Sequence, residues 1–119
     1  MDRQSSPPKS VFDVQGTLRR LGDDEELLSD MIEFFVEDAP PLMAELQAAV
    51  NADDAPAAQS AAHALKGLIL GCGGVRAGQF AQRAEDAAAA GDLDTLAALV
   101  EVLAAEVDLL LEATLPYRS

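Results

Sequence analysis

The sequence predicts an all-α protein, an antiparallel four-helix bundle with a short additional N-terminal helix. Three observations carry that expectation. Half of the residues are hydrophobic, yet only four Phe, one Tyr and no Trp are among them. The core must therefore come from Leu, Val, Ile, Met and many Ala, a composition that favours helices. Apolar residues also recur at spacings of three and four, the period of a helix with one buried face. Finally, the breaks between these runs are short and marked by Asp, Gly and Pro, and no segment alternates as a strand would. Short links join antiparallel neighbours.

Taken in order, residues 1–10 read as a flexible tail, polar and interrupted by Pro7 and Pro8. Asp13 can cap a short helix running to Leu21, with Gly22 ending it. Asp23 is placed to open a second helix, with Glu26 three residues on completing a capping-box pattern. Its apolar positions are Leu28, Met31, Ile32, Phe35, Ala39, Leu42, Leu46 and Val50. Pro40 and Pro41 interrupt this run, but the apolar phase continues across them, which predicts one kinked helix rather than two. Asp53 and Asp54 before Pro56 mark the start of a third helix reaching about Cys72, followed by a Gly71–Gly74 turn. A fourth helix runs from about Arg76 to Ala90, closed by Gly91. Asp92 then caps a fifth helix through about Thr114, with the stripe Leu93, Leu96, Val100, Leu103, Val107 and Leu110. Pro116 stops it. The expected organisation is a single domain over residues 11–115, with 116–119 as a C-terminal tail.

Charge narrows the function. Eight basic and twenty-one acidic side chains leave a net charge of −13, which repels phosphate backbones and argues against nucleic-acid binding. The single cysteine, Cys72, cannot form an internal disulfide and reads as a small core residue in a reducing compartment. One histidine is too few for a His-rich metal site. No run of apolar residues approaches the length of a membrane span, and the first ten residues lack the apolar segment of a signal peptide. The expected location is cytoplasmic, and the short tails suggest a free-standing chain.

The third helix carries the candidate site. Its buried stripe is predicted to be Ala58, Ala61, Ala62, Leu65, Ile69 and Cys72. At about 100° per residue, His63 lies about 200° from Leu65 and points away from that stripe, which argues against a satisfied core histidine. An idle surface histidine is the remaining alternative, and the neighbours weigh against it. Lys66 sits one turn on, close enough to bring an ammonium beside the imidazole. Gly67 costs the helix ~1 kcal/mol relative to Ala, and a mid-helix glycine on the solvent side needs a reason. A nucleophilic imidazole, a cation for developing negative charge and clearance for a bulky partner suit a group that accepts an anion from another protein. Gln59, Ser60 and Leu70 share this face. Arg83 on the fourth helix and Phe12 near the first are further candidates for a docking surface, with Val11 and Leu18 beside Phe12. A solvated charge and a core-packed ring are their respective alternatives. The acidic run Asp23–Glu26 is explained by capping and the helix dipole, with the steering of a partner as the alternative.

In this setting the chain resembles the histidine-containing phosphotransfer (HPt) domains of two-component phosphorelays. The resemblance rests on HALKG at 63–67, the Gly73–Gly74 turn, Ala84-Glu85 with Ala87 on the next helix, LRRLGDDEELLSDMIEFFVEDAPPLMAEL at 18–46, and AGDLDTL at 90–96. It covers about residues 11–115. It implies a phosphocarrier rather than an enzyme, without kinase or phosphatase activity of its own. His63 would take a phosphoryl group from the aspartyl phosphate of one receiver domain and pass it to the aspartate of another. Lys66 would stabilise the phosphoryl group and Gly67 would give the receiver room. The implied partners are response-regulator receivers and the receivers of hybrid sensor kinases, which bring the Mg²⁺, so no cofactor of the chain's own is expected. The family's usual state is a monomer. The absence of a P-loop or kinase-type glycine loop fits this, since GCGG at 71–74 follows a helix rather than a strand. An adaptor that docks and inhibits a receiver or sensor kinase without carrying phosphate is the alternative. Leu68, Gly71, Ala77 and Ala84 depart from the residues usual in the family. These changes bear on packing, and Leu68 is phased to fill space left by smaller residues on the fourth helix.

Overall fold

The structure, a computed structural model, describes residues 8–118. Five α-helices follow one another: α1 (Val14–Arg20), α2 (Glu25–Asn51), α3 (Ala55–Cys72), α4 (Arg76–Ala89) and α5 (Leu93–Ala113), with a 3-10 turn over Leu115–Tyr117. Helices α2 to α5 pack as a closed ring, α2 on α3, α3 on α4, α4 on α5 and α5 back on α2, while α1 leans on α2. The result is an elongated bundle of 45 × 24 × 20 Å. Among the described residues there is no strand, only an isolated antiparallel bridge between Phe12 and Gly74.

The caps show why the helices begin where they do. The side chains of Asp13, Asp24, Asp54 and Asp92 accept from the backbone N–H of Gly16, Leu27, Ala57 and Thr95 respectively, each satisfying a donor the first turn leaves unpaired. The second helix opens one residue later than expected. Asp23 takes φ 61° beside Gly22 at φ 70°, and its N–H donates to the Leu18 carbonyl, so it closes the turn and leaves the cap to Asp24. Glu26 then falls at the second helical position, too early to complete a capping box. The pair Asp53–Asp54 repeats the arrangement, with Asp53 at φ 53° and Asp54 as the cap. Aspartate tolerates this left-handed conformation better than most residues.

Helix α2 passes through Pro40 and Pro41 as one helix. Both prolines are exposed, on the side of the helix where a carbonyl that loses its donor can be reached by water. Beyond them the buried stripe turns slightly. Met43 and Ala49 are buried where Leu42 and Val50 were expected, and Met31 is only half-buried. The α3 stripe is buried at all six predicted positions, Ala58, Ala61, Ala62, Leu65, Ile69 and Cys72. Burial pushes the Cys72 thiol up to about 12, which makes it inert rather than nucleophilic. On α5 the predicted residues from Leu96 to Leu110 are buried and Leu93 is half-buried. Glu106, which no apolar pattern marks, is buried among them and bonded to Arg76 Nη2 at 2.7 Å.

The described parts of the two expected tails make contacts with the bundle. Residues 1–7 lie outside the described residues, but the Pro8 carbonyl accepts from Val11 and Phe12, and the Ser10 carbonyl accepts from the Arg76 N–H at 2.8 Å. At the other end Tyr117 turns back to meet Phe12 edge-to-face at 5.3 Å, and Arg118 Nη2 donates to the Leu111 carbonyl at 2.5 Å. These segments close the end of the bundle where α3 hands over to α4. Ser119 lies outside the described residues.

Candidate functional site

Because the six buried residues of α3 all lie on one face, His63 is turned outward, its side chain 67% exposed. The ring is nevertheless held. Nδ1 lies 2.9 Å from Glu85 Oε2 on α4. Hydrogen bonding from Lys66, with His63 adding to it, holds the Glu85 carboxyl below its ordinary value against the opposing effect of burial. Glu85 is therefore ionised near neutral pH and can only accept, so Nδ1 carries the proton and donates. In the neutral ring this puts the free lone pair on Nε2, the requirement for a nucleophile.

Lys66 stands on the same flank, its Nζ 2.8 Å from Glu85 Oε1 and donating to Gln82 Oε1 at 2.9 Å. Glu85 thus bridges the imidazole and the ammonium through its two oxygens. The Lys66 and Glu85 side chains are only 20% and 16% exposed, so their attraction is less screened than that of a pair in open solvent. Behind them Gln82 Nε2 donates to Asp86 Oδ1 at 2.9 Å. An outward imidazole of fixed tautomer beside a tethered cation can attack an electrophile that brings negative charge with it.

Gly67 lies on the other side of His63. A Cβ built on it would meet nothing within 4 Å, so the bundle itself does not require glycine here. Gln59, Ser60 and Leu70 are exposed on the same side of α3. Ser60 borders a groove between α2 and α3 that Leu42 and Glu45 also line. Leu70 is 47% exposed, and its carbonyl accepts from Arg20 Nη2 at 3.0 Å, which ties α1 to the end of α3.

Two docking candidates are not brought to this face. Phe12 is 2% exposed. The bridge to Gly74 and the contact with Tyr117 draw its ring into the core, so the core-packed alternative is the correct one. Val11 and Leu18 are half-buried against the same core. Arg83 lies two residues before Glu85 and so about 200° around α4, with its guanidinium 5.2 Å from the centre of the Phe80 ring. It is a cation stacked on an aromatic face rather than a neighbour of His63.

Glu85 and Gln82 are the site residues that the sequence reading did not assign a role. One signal pointed to them. Helix α3 contains no Asp or Glu, so Lys66, a cation in a chain of charge −13, had to find its carboxylate on a neighbouring helix. Gln82, Glu85 and Asp86, within one turn of an alanine-rich helix, are the polar group placed to supply it.

Among the described residues, no three His, Cys, Asp or Glu side chains are grouped to hold a metal ion, and no helix is long and apolar enough to cross a membrane. Comparison with protein families matches residues 30–113 to the model of the Hpt domain. No curated protein and no solved structure matches the chain.

Proposed function

The chain belongs to the Hpt domain family, and from that premise we propose that it relays a phosphoryl group between receiver-domain aspartates through Nε2 of His63. Hpt domains serve phosphotransfer in two-component signalling, as phosphocarriers rather than enzymes, and interact with receiver domains. The observation that carries the finer reading is the hydrogen bond from His63 Nδ1 to Glu85, which leaves Nε2 as the nucleophile on an outward ring.

In the step proposed, the Nε2 lone pair attacks the phosphorus of a receiver's aspartyl phosphate. The Nε2–P bond forms as the P–O bond breaks, and the receiver's aspartate leaves as a carboxylate. The ring gains positive charge while keeping its Nδ1 proton, and Glu85 lies 2.9 Å from that proton's nitrogen to stabilise it. Lys66 faces the oxygens of the transferring group. The loose transition state of phosphoryl transfer asks mainly for such alignment and charge stabilisation. Passing the group to a second receiver reverses the same bonds. Gly67 leaves space for the receiver's loops, and the receiver supplies the Mg²⁺. We place this relay in the cytoplasm, carried out by a monomer.

The test is transfer of label from a panel of phosphorylated receivers to the wild type and to His63→Gln. Acid-labile, alkali-stable label on the wild type, absent from a variant of unchanged helical content, is the expected result. If a receiver binds both forms equally and neither takes label, the relay reading is overturned in favour of a docking adaptor.

A further inference from the structure

Lys66 has two acceptors, and they differ in charge. Glu85 Oε1 at 2.8 Å is a carboxylate oxygen already engaged, through its sister atom, with His63. Gln82 Oε1 at 2.9 Å belongs to a neutral amide. Two carboxylates around one ammonium would leave a net negative site, and a phosphoryl group carries roughly two negative charges of its own. An amide anchors the ammonium while leaving more of its charge for the incoming group.

An amide serves in this way only if its oxygen faces the lysine, since the opposite orientation would set NH₂ against NH₃⁺. Asp86 settles the orientation. Its Oδ1 accepts from Gln82 Nε2 at 2.9 Å, and a carboxylate accepts but does not donate. The nitrogen must then face Asp86 and the oxygen must face Lys66. The two residues are four apart on α4, the spacing at which helical side chains meet.

We propose that Gln82, oriented by Asp86, is a positioning residue that holds the Lys66 ammonium at the phosphoryl site without neutralising it. This rests on the phosphohistidine reading of His63 and adds to it two residues on the neighbouring helix. It makes a prediction that runs against simple hydrogen-bond counting. Gln82→Glu keeps an acceptor for Lys66 and would serve as well as glutamine if the role were only structural. On the electrostatic account it is the more damaging change, because it adds a negative charge where the phosphoryl oxygens must come. Gln82→Ala removes the anchor alone.

Phosphoramidate is a suitable donor, because it needs no partner protein: Nε2 attacks phosphorus, the P–N bond of the donor breaks and ammonia leaves. Labelling of His63 is followed by ³¹P NMR, with circular dichroism to verify that each variant is folded. The expected rates fall in the order wild type, Gln82→Ala, Gln82→Glu, each step about threefold. In a Lys66→Ala background the Gln82→Ala step should vanish, since Gln82 acts through the lysine. A rate for Gln82→Glu equal to or above that of Gln82→Ala overturns the proposal, as does a Gln82→Ala effect that persists without Lys66. If the wild type itself takes no label on His63, the parent reading fails and this one with it, an outcome distinct from a wild type that labels while the Gln82 variants do not separate.

Discussion

Gly67 and Gly74 lie seven residues apart, and packing explains only the second. A Cβ on Gly74 would come within 2.5 Å of Leu110 Cδ2 and 2.8 Å of Ile69 Cγ2, two side chains that are themselves fully buried. The backbone there donates to the Ile69 carbonyl and pairs with Phe12, so the α3–α4 junction is packed tightly around a residue with no side chain. A Cβ on Gly67 would touch nothing. The fold would be served better by alanine, by ~1 kcal/mol, yet glycine stands beside the one histidine. Around Gly74 the residues answer to the bundle. Around Gly67 the bundle asks for no glycine, and the proposed clearance for a receiver would account for it.

That contrast can be broken most forcefully at the junction. Gly74→Ala is expected to cost about 1–3 kcal/mol through overpacking, measured by urea or thermal unfolding. The folded fraction should still accept phosphoryl groups at the wild-type rate. An unchanged stability would show that Leu110 and Ile69 yield easily, and the contrast with Gly67 would lose one side.

Next in size is the effect of bulk on the outer face. Gly67→Gln should slow phosphoryl uptake from a receiver about tenfold, equivalent to about 1.4 kcal/mol, while labelling by phosphoramidate stays at the wild-type rate. Slowing with both donors would mean that the side chain disturbs His63 itself, and the clearance account would give way to a chemical one. Gly67→Ala sharpens the point from the other direction. It should raise unfolding stability by up to ~1 kcal/mol, a gain no alanine at Gly74 can bring.

The same division explains what the sequence disclosed. Most of what one helix's own period sets was legible: all six buried positions of α3, the outward turn of His63, and the aspartate-marked starts of α3 and α5. The exception is α2 past its two prolines, where Met43 and Ala49 took the places expected for Leu42 and Val50. What depended on a second element was not legible. Phe12 stayed open between a docking surface and the core because the bridge to Gly74 and the ring of Tyr117 come from distant parts of the chain. Arg83 stayed open between a docking role and a solvated charge because the relative rotation of the two helices was not legible. Glu85 was visible as part of a motif, but its place between His63 and Lys66 exists only once α3 and α4 are packed. The shift from Asp23 to Asp24 is a local matter of another kind. Two successive aspartates can each cap, and the left-handed turn that uses the first one decides between them.

The smallest expected effect measures how much the outer face contributes to stability. The groups facing Glu85 are Lys66 and His63 from α3, and they favour its charged form. Its folded-state pKa is therefore lowered, and the stabilisation is fully present above the unfolded value near 4.5 and is lost as pH falls through the folded one. The stability difference between the wild type and Glu85→Gln should accordingly shrink as pH falls below the ordinary carboxylate range. For a pair that is partly shielded but still open to solvent on one side it should stay modest, about 1 kcal/mol. A difference that grows with acidification would mean that Glu85 is protonated in the folded protein, and Nδ1 of His63 would lose the acceptor that fixes its tautomer. A small difference that shrinks as expected would show the reverse of Gly74: a cluster that contributes little to holding the bundle together, and for whose arrangement the proposed phosphoryl chemistry of His63 gives the reason.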